Sequence, residues 1–321
     1  MTTSTKICLI VAASLLALGV ILFITAMAIS QFKFAEVFST ASYETATHDI
    51  NDEFENISIN TTTADVTILR SADDSAHVVC FYNKKITYSV AVTDGTLSIE
   101  GNDERRWFDH IGIVSNTPEL RVYLPSDEYE ALTIDLSTGD VRVEDFSFAS
   151  INIELTTGDV ECLASSDAEL NIHTTTGDIG ISGASVASMS LKTNTGDVNV
   201  FEISCDGDIH MKSTTGSSVL TNVSCKNLSI ESGSGDTKMI NVIASETITV
   251  NKNTGDVELE ACDAAELNIK TTTGDVVGSL LTEKVFVTNT TTGDISVPKS
   301  TSGGICEIST TTGEIDIDIK K

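Results

Sequence analysis

The chain has 321 residues, with 47 acidic against 19 basic side chains and a formal net charge of -28. Hydrophobic residues make up 40% of it but aromatics only 5%, so Val, Ile, Leu and Thr must supply the core, and a disordered acidic tail is excluded. This charge repels phosphate backbones, and with no basic, aromatic-interleaved stripe in the sequence, nucleic acid is excluded as a partner.

After a short tail, residues 1–6, the segment 7–29 reads ICLIVAASLLALGVILFITAMAI without a charge. A helix of that length crosses a hydrocarbon core of ~30 Å, so one transmembrane helix is expected. A cleaved signal peptide is the rival, because Ala26-Met27-Ala28 offers a small-x-small site, but the apolar run is long for a signal core. Lys6 lies on one side, and Lys33, Glu36 and the acidic remainder on the other. That asymmetry favours a single-pass protein of the cell membrane with a cytoplasmic N-terminus and everything after the span extracytoplasmic. Residues 30–51 read as a juxtamembrane linker.

Residues 52–126 hold strand-like runs at 77–82, 88–92 and 96–99, with Asp94-Gly95 as a hairpin signal. A polar loop over 101–118 follows. It contains Arg105, Arg106, Trp107 and Phe108, where scarce cations and aromatics coincide, which suits a contact site for a partner or for headgroups. The alternative is that these aromatics pack back on the protein. The segment 52–126 is expected to be the irregular first part of the fold that residues 127–321 build regularly.

That regular part is an internal repeat. A TGD turn or a close variant places glycine at Gly139, Gly158, Gly177, Gly196, Gly216, Gly235, Gly255, Gly274, Gly293 and Gly313, always 19 or 20 residues apart. A degenerate earlier copy, Thr61-Thr62-Thr63-Ala64-Asp65-Val66, carries alanine in the glycine place. Within each unit apolar residues alternate with period two on either side of the turn, as in Leu170, Ile172, Gly177, Ile179 and Ile181. One column reads Val143, Cys162, Ile181, Val200, Leu220, Met239, Leu259, Gly278, Val297, Ile317. Units this short cannot fold alone and must stack, so the expectation is all-β: a single-stranded β-solenoid (β-helix) with about 19-residue coils. Stacked in chain order, Ile315, Ile317 and Ile319 lie on the last exposed edge strand, blunted by Asp316, Asp318 and Lys320.

At the corner, glycine reaches positive φ and the next residue caps backbone N–H groups. Stacking brings Asp140, Asp159, Asp178, Asp197, Asp236, Asp256, Asp275 and Asp294 into one column of like charges, which needs compensation. Calcium between coils is one solution. Backbone capping is the other and the preferred one, since the spacing is not that of the nine-residue calcium repeat. No other cofactor is expected. The threonines preceding the corner glycines read as a β-branched ladder. Of seven cysteines, Cys8 falls in the apolar span, while Cys162, Cys262 and Cys306 read as small buried hydrophobes. Cys205 and Cys225 hold the same repeat position in adjacent coils, where a disulfide is geometrically conceivable although in-register neighbours rarely pair. No CxxC, HExxH, GxSxG or P-loop occurs.

The segment ELRVYLP over 119–125, the segment YEALTIDLSTGDV over 129–141 and the repeating TTTGD(V/I) resemble the bacterial family of proposed adhesins designated domain of unknown function 4097, over nearly all of residues 54–319. The resemblance implies an exported or membrane-anchored β-strand repeat protein and supplies no catalytic residues. The function expected is therefore a non-enzymatic, adhesin-like surface protein. It would be held to the membrane by its N-terminal helix and present an acidic solenoid to a protein or envelope polymer. An envelope-stress or signalling accessory binding a membrane partner is the alternative. A polysaccharide-acting enzyme would need long loops forming a cleft, and the coils have almost no insertions.

Overall fold

The computed structural model describes residues 12, 14–25, 43–83, 85–104 and 117–320. Residues 14–25 are helical. Of the segment read as a membrane span, residues 7–11, 13 and 26–29 lie outside those described, and among the described residues no helix is long and apolar enough to cross a membrane.

Everything else described is β-structure and turns. It starts with β1 (Tyr43–Ile50), β2 (Asn56–Thr63), β3 (Asp65–Arg70), β4 (Ala76–Asn83), β5 (Ile86–Thr93), β6 (Thr96–Asp103) and β7 (Glu119–Leu124). The first coil, β2 and β3, turns at Ala64. It is not the outermost layer, because β6 pairs in parallel on the outer edge of β2 and β7 on the outer edge of β3. Beyond them the ladders become antiparallel, with β5 on β6 and then β4 on β7 and β1 on β4. Asp94 and Gly95, both at positive φ, close the β5–β6 hairpin. Tyr82 of β4 meets Tyr88 of β5 edge to face at 5.7 Å, so the two faces close toward each other at this end.

The regular coils follow. β8 (Glu128–Thr138) and β9 (Val141–Val143) flank Gly139, β10 (Ser147–Thr157) and β11 (Val160–Cys162) flank Gly158, and β12 (Ser165–Thr176) and β13 (Ile179–Ser182) flank Gly177. β14 (Ser185–Thr195) and β15 (Val198–Cys205) flank Gly196, after which β16 (Asp208–Thr215), β17 (Ser218–Ser234), β18 (Thr237–Thr254) and β19 (Val257–Cys262) turn at Gly216, Gly235 and Gly255. β20 (Glu266–Lys270) and β21 (Val276–Leu280) flank Gly274. Every pairing between neighbouring coils here is parallel, with the register shifting only at local irregularities such as Phe148–Ser150, Ser166–Glu169, Cys225–Asn227 and Leu259–Cys262. Ile153, Ile172, Leu191, Met211, Ile230, Val250 and Ile269 are successive partners and all are buried. The fold is thus an all-β solenoid of coils of about 20 residues.

The burial pattern also shows turns that the glycines do not mark. Along β17 the alternation slips at Thr221-Asn222 and again at Lys226-Asn227, where two consecutive side chains face outward. Asn222 sits at φ 56°, and Glu202, Asn241 and Ala261 hold the equivalent left-handed position in neighbouring coils. Only some of these are residues that favour this conformation, which is why the repeat did not advertise the turn.

The C-terminal end departs from chain order. β22 (Lys284–Thr292) and β23 (Ile295–Ser296) form the coil that turns at Gly293, and β24 (Gly304–Thr312) and β25 (Ile315–Ile319) the coil at Gly313. β24 lies between β20 and β22, and β25 between β21 and β23. The last coil in sequence is therefore one layer inside, and the Gly293 coil is outermost. This corrects two expectations: Gly278 is partnered by Ile317 rather than by Val297, and β25 is not the outermost strand, since β23 pairs on its outer edge over Ile315 and Asp316.

Two physical features favour the exchange. Cys306, Ile308 and Ile315 of the Gly313 coil lie opposite Phe286, Thr288 and Ile295 of the Gly293 coil, so the two coils differ in kind at one inward place, where an isoleucine faces a threonine. The better apolar set takes the doubly covered place. Gly303 and Gly304 let the chain enter the gap. A Cβ on Gly303 would lie 1.8 Å from the Glu283 carbonyl oxygen and one on Gly304 1.9 Å from that of Ala265, so a larger residue could not slip between the two coils.

Candidate functional site

The corners form the most regular chemical feature of the molecule. At Gly177, φ is +148° and an added Cβ would stand 1.9 Å from the Gly158 carbonyl oxygen, so glycine is required both by conformation and by the close approach of the preceding coil. That approach carries each corner N–H to the next coil: Gly158 N donates to Thr176 O, and Gly177 N to Thr195 O, both at 2.9 Å.

The aspartates make a second ladder. Asp140 Oδ1 accepts the backbone N–H of Asp159 at 2.9 Å, Asp159 that of Asp178 at 2.7 Å, and Asp178 that of Asp197 at 2.7 Å. Asp197 accepts from Ser217 N at 2.7 Å, Asp236 from Asp256 N at 2.9 Å and Asp256 from Asp275 N at 2.8 Å. The sequence places each carboxylate in its own turn, but its partner is the amide of the following coil. One oxygen of each carboxylate is thereby engaged by a donor, which offsets the repulsion along the column. Because the coils are exchanged, Asp275 accepts from Glu314 N at 2.7 Å, and Asp294 lies beyond Glu314, its carbonyl accepting Ile315 N at 2.9 Å. Among the described residues no group of three or more His, Cys, Asp or Glu side chains is placed to hold a metal ion. Arg105, Arg106, Trp107 and Phe108 lie outside the described residues.

Two places before the threonines that precede the corner glycines, the sequence shows a second column, broken by Leu136, Leu155 and Lys252, but not what its hydroxyls do. Three residues before the corner glycine, Thr174, Thr193 and Thr310 are buried and donate to the carbonyl oxygens of Gly158, Gly177 and Gly274 at 3.1–3.2 Å. A corner carbonyl pointing into a dry interior needs such a donor. Lys252 stands in this column, with 4% of its surface exposed, and its Nζ donates to Thr237 Oγ1 at 3.0 Å and the Asp256 carbonyl at 3.2 Å. Burial lowers its pKa to about 8, against the opposing pull of Asp236 and Asp256. Lys284, equally buried, instead reaches a full set of partners: Asp263 Oδ1 at 2.6 Å and, at 2.7 Å each, Ala264 O and Thr282 Oγ1.

The outer face is polar and mostly acidic. Cations there are largely paired across coils, as Lys212 with Glu231 at 2.7 Å, Lys238 with Glu258 at 2.9 Å, and Arg142 with Glu161. The threonines preceding the corner glycines, among them Thr157, Thr176, Thr195 and Thr215, are exposed and in register from coil to coil. The six described cysteines are free and buried, Cys205 and Cys225 included, and burial pushes the thiols of Cys162, Cys225 and Cys306 up to about 12. They are packing groups rather than nucleophiles.

Stacked, glycine-cornered coils bound by an amide-to-aspartate ladder define a β-solenoid whose outer columns repeat at strand spacing. The chain belongs to the Toastrack family, DUF4097, whose model matches residues 54–216 and 204–321. No curated protein matches it. Among solved structures it is similar to a proposed adhesin from Bacteroides fragilis, at 15% identity over 87% of this chain and 99% of that one, with a TM-score of 0.43. A proposed adhesin from Parabacteroides distasonis matches at 8% identity over 86% of this chain and 97% of its own, with a TM-score of 0.48. A proposed lipid-binding protein from the same organism matches at 14% identity over 74% and 94%, with a TM-score of 0.46.

Proposed function

We propose that this protein is a non-enzymatic, adhesin-like surface protein, held to the cell membrane through residues 7–29 and presenting its acidic solenoid outside the cell to a protein or an envelope polymer. The observation that carries this reading is the division of labour in the coil. Inward positions are consumed by packing, whereas outward ones recur in register from coil to coil, as do Thr157, Thr176 and Thr195. A surface that repeats at ~4.8 Å offers many equivalent weak contacts to an extended partner, and their sum gives avidity that no single contact has.

Protease treatment of intact cells tests the arrangement. Degradation of the solenoid with survival of a short membrane-bound N-terminal fragment supports it, and full protection of the solenoid contradicts it. Capture of partners by the chain with and without residues 7–29 then separates the two roles. Partners retained without the segment fit a display surface, whereas partners lost with it fit an accessory acting within the membrane.

A further inference from the structure

The two ends of the solenoid are finished differently. At the first end the antiparallel strands β1, β4 and β5 and the Tyr82–Tyr88 contact draw the faces together. At the other end nothing among the described residues covers the Gly293 coil. β22 pairs only with β24 and β23 only with β25, so one edge of each is open. The inward column is uncovered too: Ile295 is 45% exposed although its partner Ile315 is fully buried. On the outer side of the same layer Val287 is 54% exposed.

Repeat proteins close such an end with a polar cap, and sheet proteins blunt an open edge with charge. Neither device is present on β22, which has no charged residue between Lys284 and Asp294. The segment 281–303 carries Glu283 and Asp294 against Lys284 and Lys299, two acids and two bases, hence net zero on a chain of -28. It is thus a face that a second, equally acidic copy can approach without like-charge repulsion. A two-fold axis across it brings two β22 edges together antiparallel, satisfies the open backbone groups and covers Ile295 and Val287 of both copies. A two-fold pairing uses this face on both copies, so association through it stops at two.

We infer that the Gly293 coil is a self-association surface, at which two copies of this chain pair end to end through β22 and β23. The pairing rests on the solenoid's end alone.

Sedimentation equilibrium of the full chain in a mild detergent tests the pairing independently of where the protein resides. The wild type is expected to have the mass of a dimer at micromolar concentration. The double variant Val287→Lys, Ile295→Lys, which puts like charges on both copies, is expected to weaken association at least tenfold. Phe201→Lys, which removes an equally exposed apolar side chain from the middle of the solenoid, is expected to leave the dimer intact. Thr291→Lys, an exposed edge position that costs no apolar contact, should weaken it in the same sense as the double variant. Circular dichroism confirms that each variant is folded. A monomeric wild type, or a dimer equally sensitive to Phe201→Lys, or one insensitive to both terminal-coil variants, overturns the inference.

Discussion

The backbone N–H of Glu314 donates to Asp275 Oδ1 at 2.7 Å, across 39 residues of sequence. Every other carboxylate-to-amide step of this ladder beyond the first coil spans 19 or 20 residues. The long step records the exchange of the last two coils, and it shows that the ladder follows spatial neighbours rather than chain order.

The ladder makes a direct prediction. Asp178→Ala removes the acceptor for Asp197 N–H and should cost about 1 kcal/mol, as loss of a capping side chain does, whereas Asp178→Asn keeps an acceptor oxygen and should lose less than half of that. Thermal unfolding of the two variants checks the order. Since the carboxylates already have donors, excess calcium and chelator should leave the melting temperature unchanged.

The glycine corners tolerate far less. Gly177→Ala sets a methyl 1.9 Å from the Gly158 carbonyl oxygen at a φ that disfavours any side chain. The expected cost is about 3 kcal/mol or more, read as a lower midpoint in urea with little change in slope.

Conversely, Ala261 is an alanine at φ 54° where neighbouring coils place Asn222 and Asn241. Ala261→Gly relieves a left-handed conformation and should raise stability by about 0.5–1 kcal/mol, with Ser279 Oγ still accepting the residue's N–H. An unchanged or lower melting temperature would contradict the strain assigned to this turn.

Lys252 occupies a place that Thr174, Thr193 and Thr310 fill elsewhere. Its folded pKa, about 8, lies below the ordinary lysine value of 10.5. Between those two pH values the unfolded chain binds the additional proton, so this group makes stability rise as pH increases through the window and lowers stability below it. Lys252→Thr should therefore stabilise the protein at pH 7 by about 1–2 kcal/mol and flatten the rise between pH 8 and 10.5. Melting curves of both proteins across that range check the sign.

Much of this was legible in the sequence, and the exceptions are instructive. The corner glycines and the core column from Val143 to Gly278 recur because each coil meets its neighbour in the same way, so a 19- or 20-residue recurrence exposes them. The order of the last two coils is a competition between layers, in which Ile308 stands against Thr288 at the same inward place, and periodicity is blind to it because both coils carry the same turn. The hydroxyl column hides its role for another reason. Leu136, Leu155 and Lys252 interrupt it, and its purpose shows only once a neighbouring glycine carbonyl is seen beside it.

The stack places β24 and β25 inside and β22 and β23 at the end. Amide hydrogen exchange followed by peptide mass spectrometry tests it most directly. Strands paired on both edges should exchange slowly, so peptides from 304–316 should be protected like those of the middle coils, and peptides from 284–296 should exchange faster, most clearly at concentrations too low for two copies to meet. Slower exchange over 284–296 than over 304–316 under those conditions would mean that the coils stack in chain order and that the Gly293 coil is not the outermost.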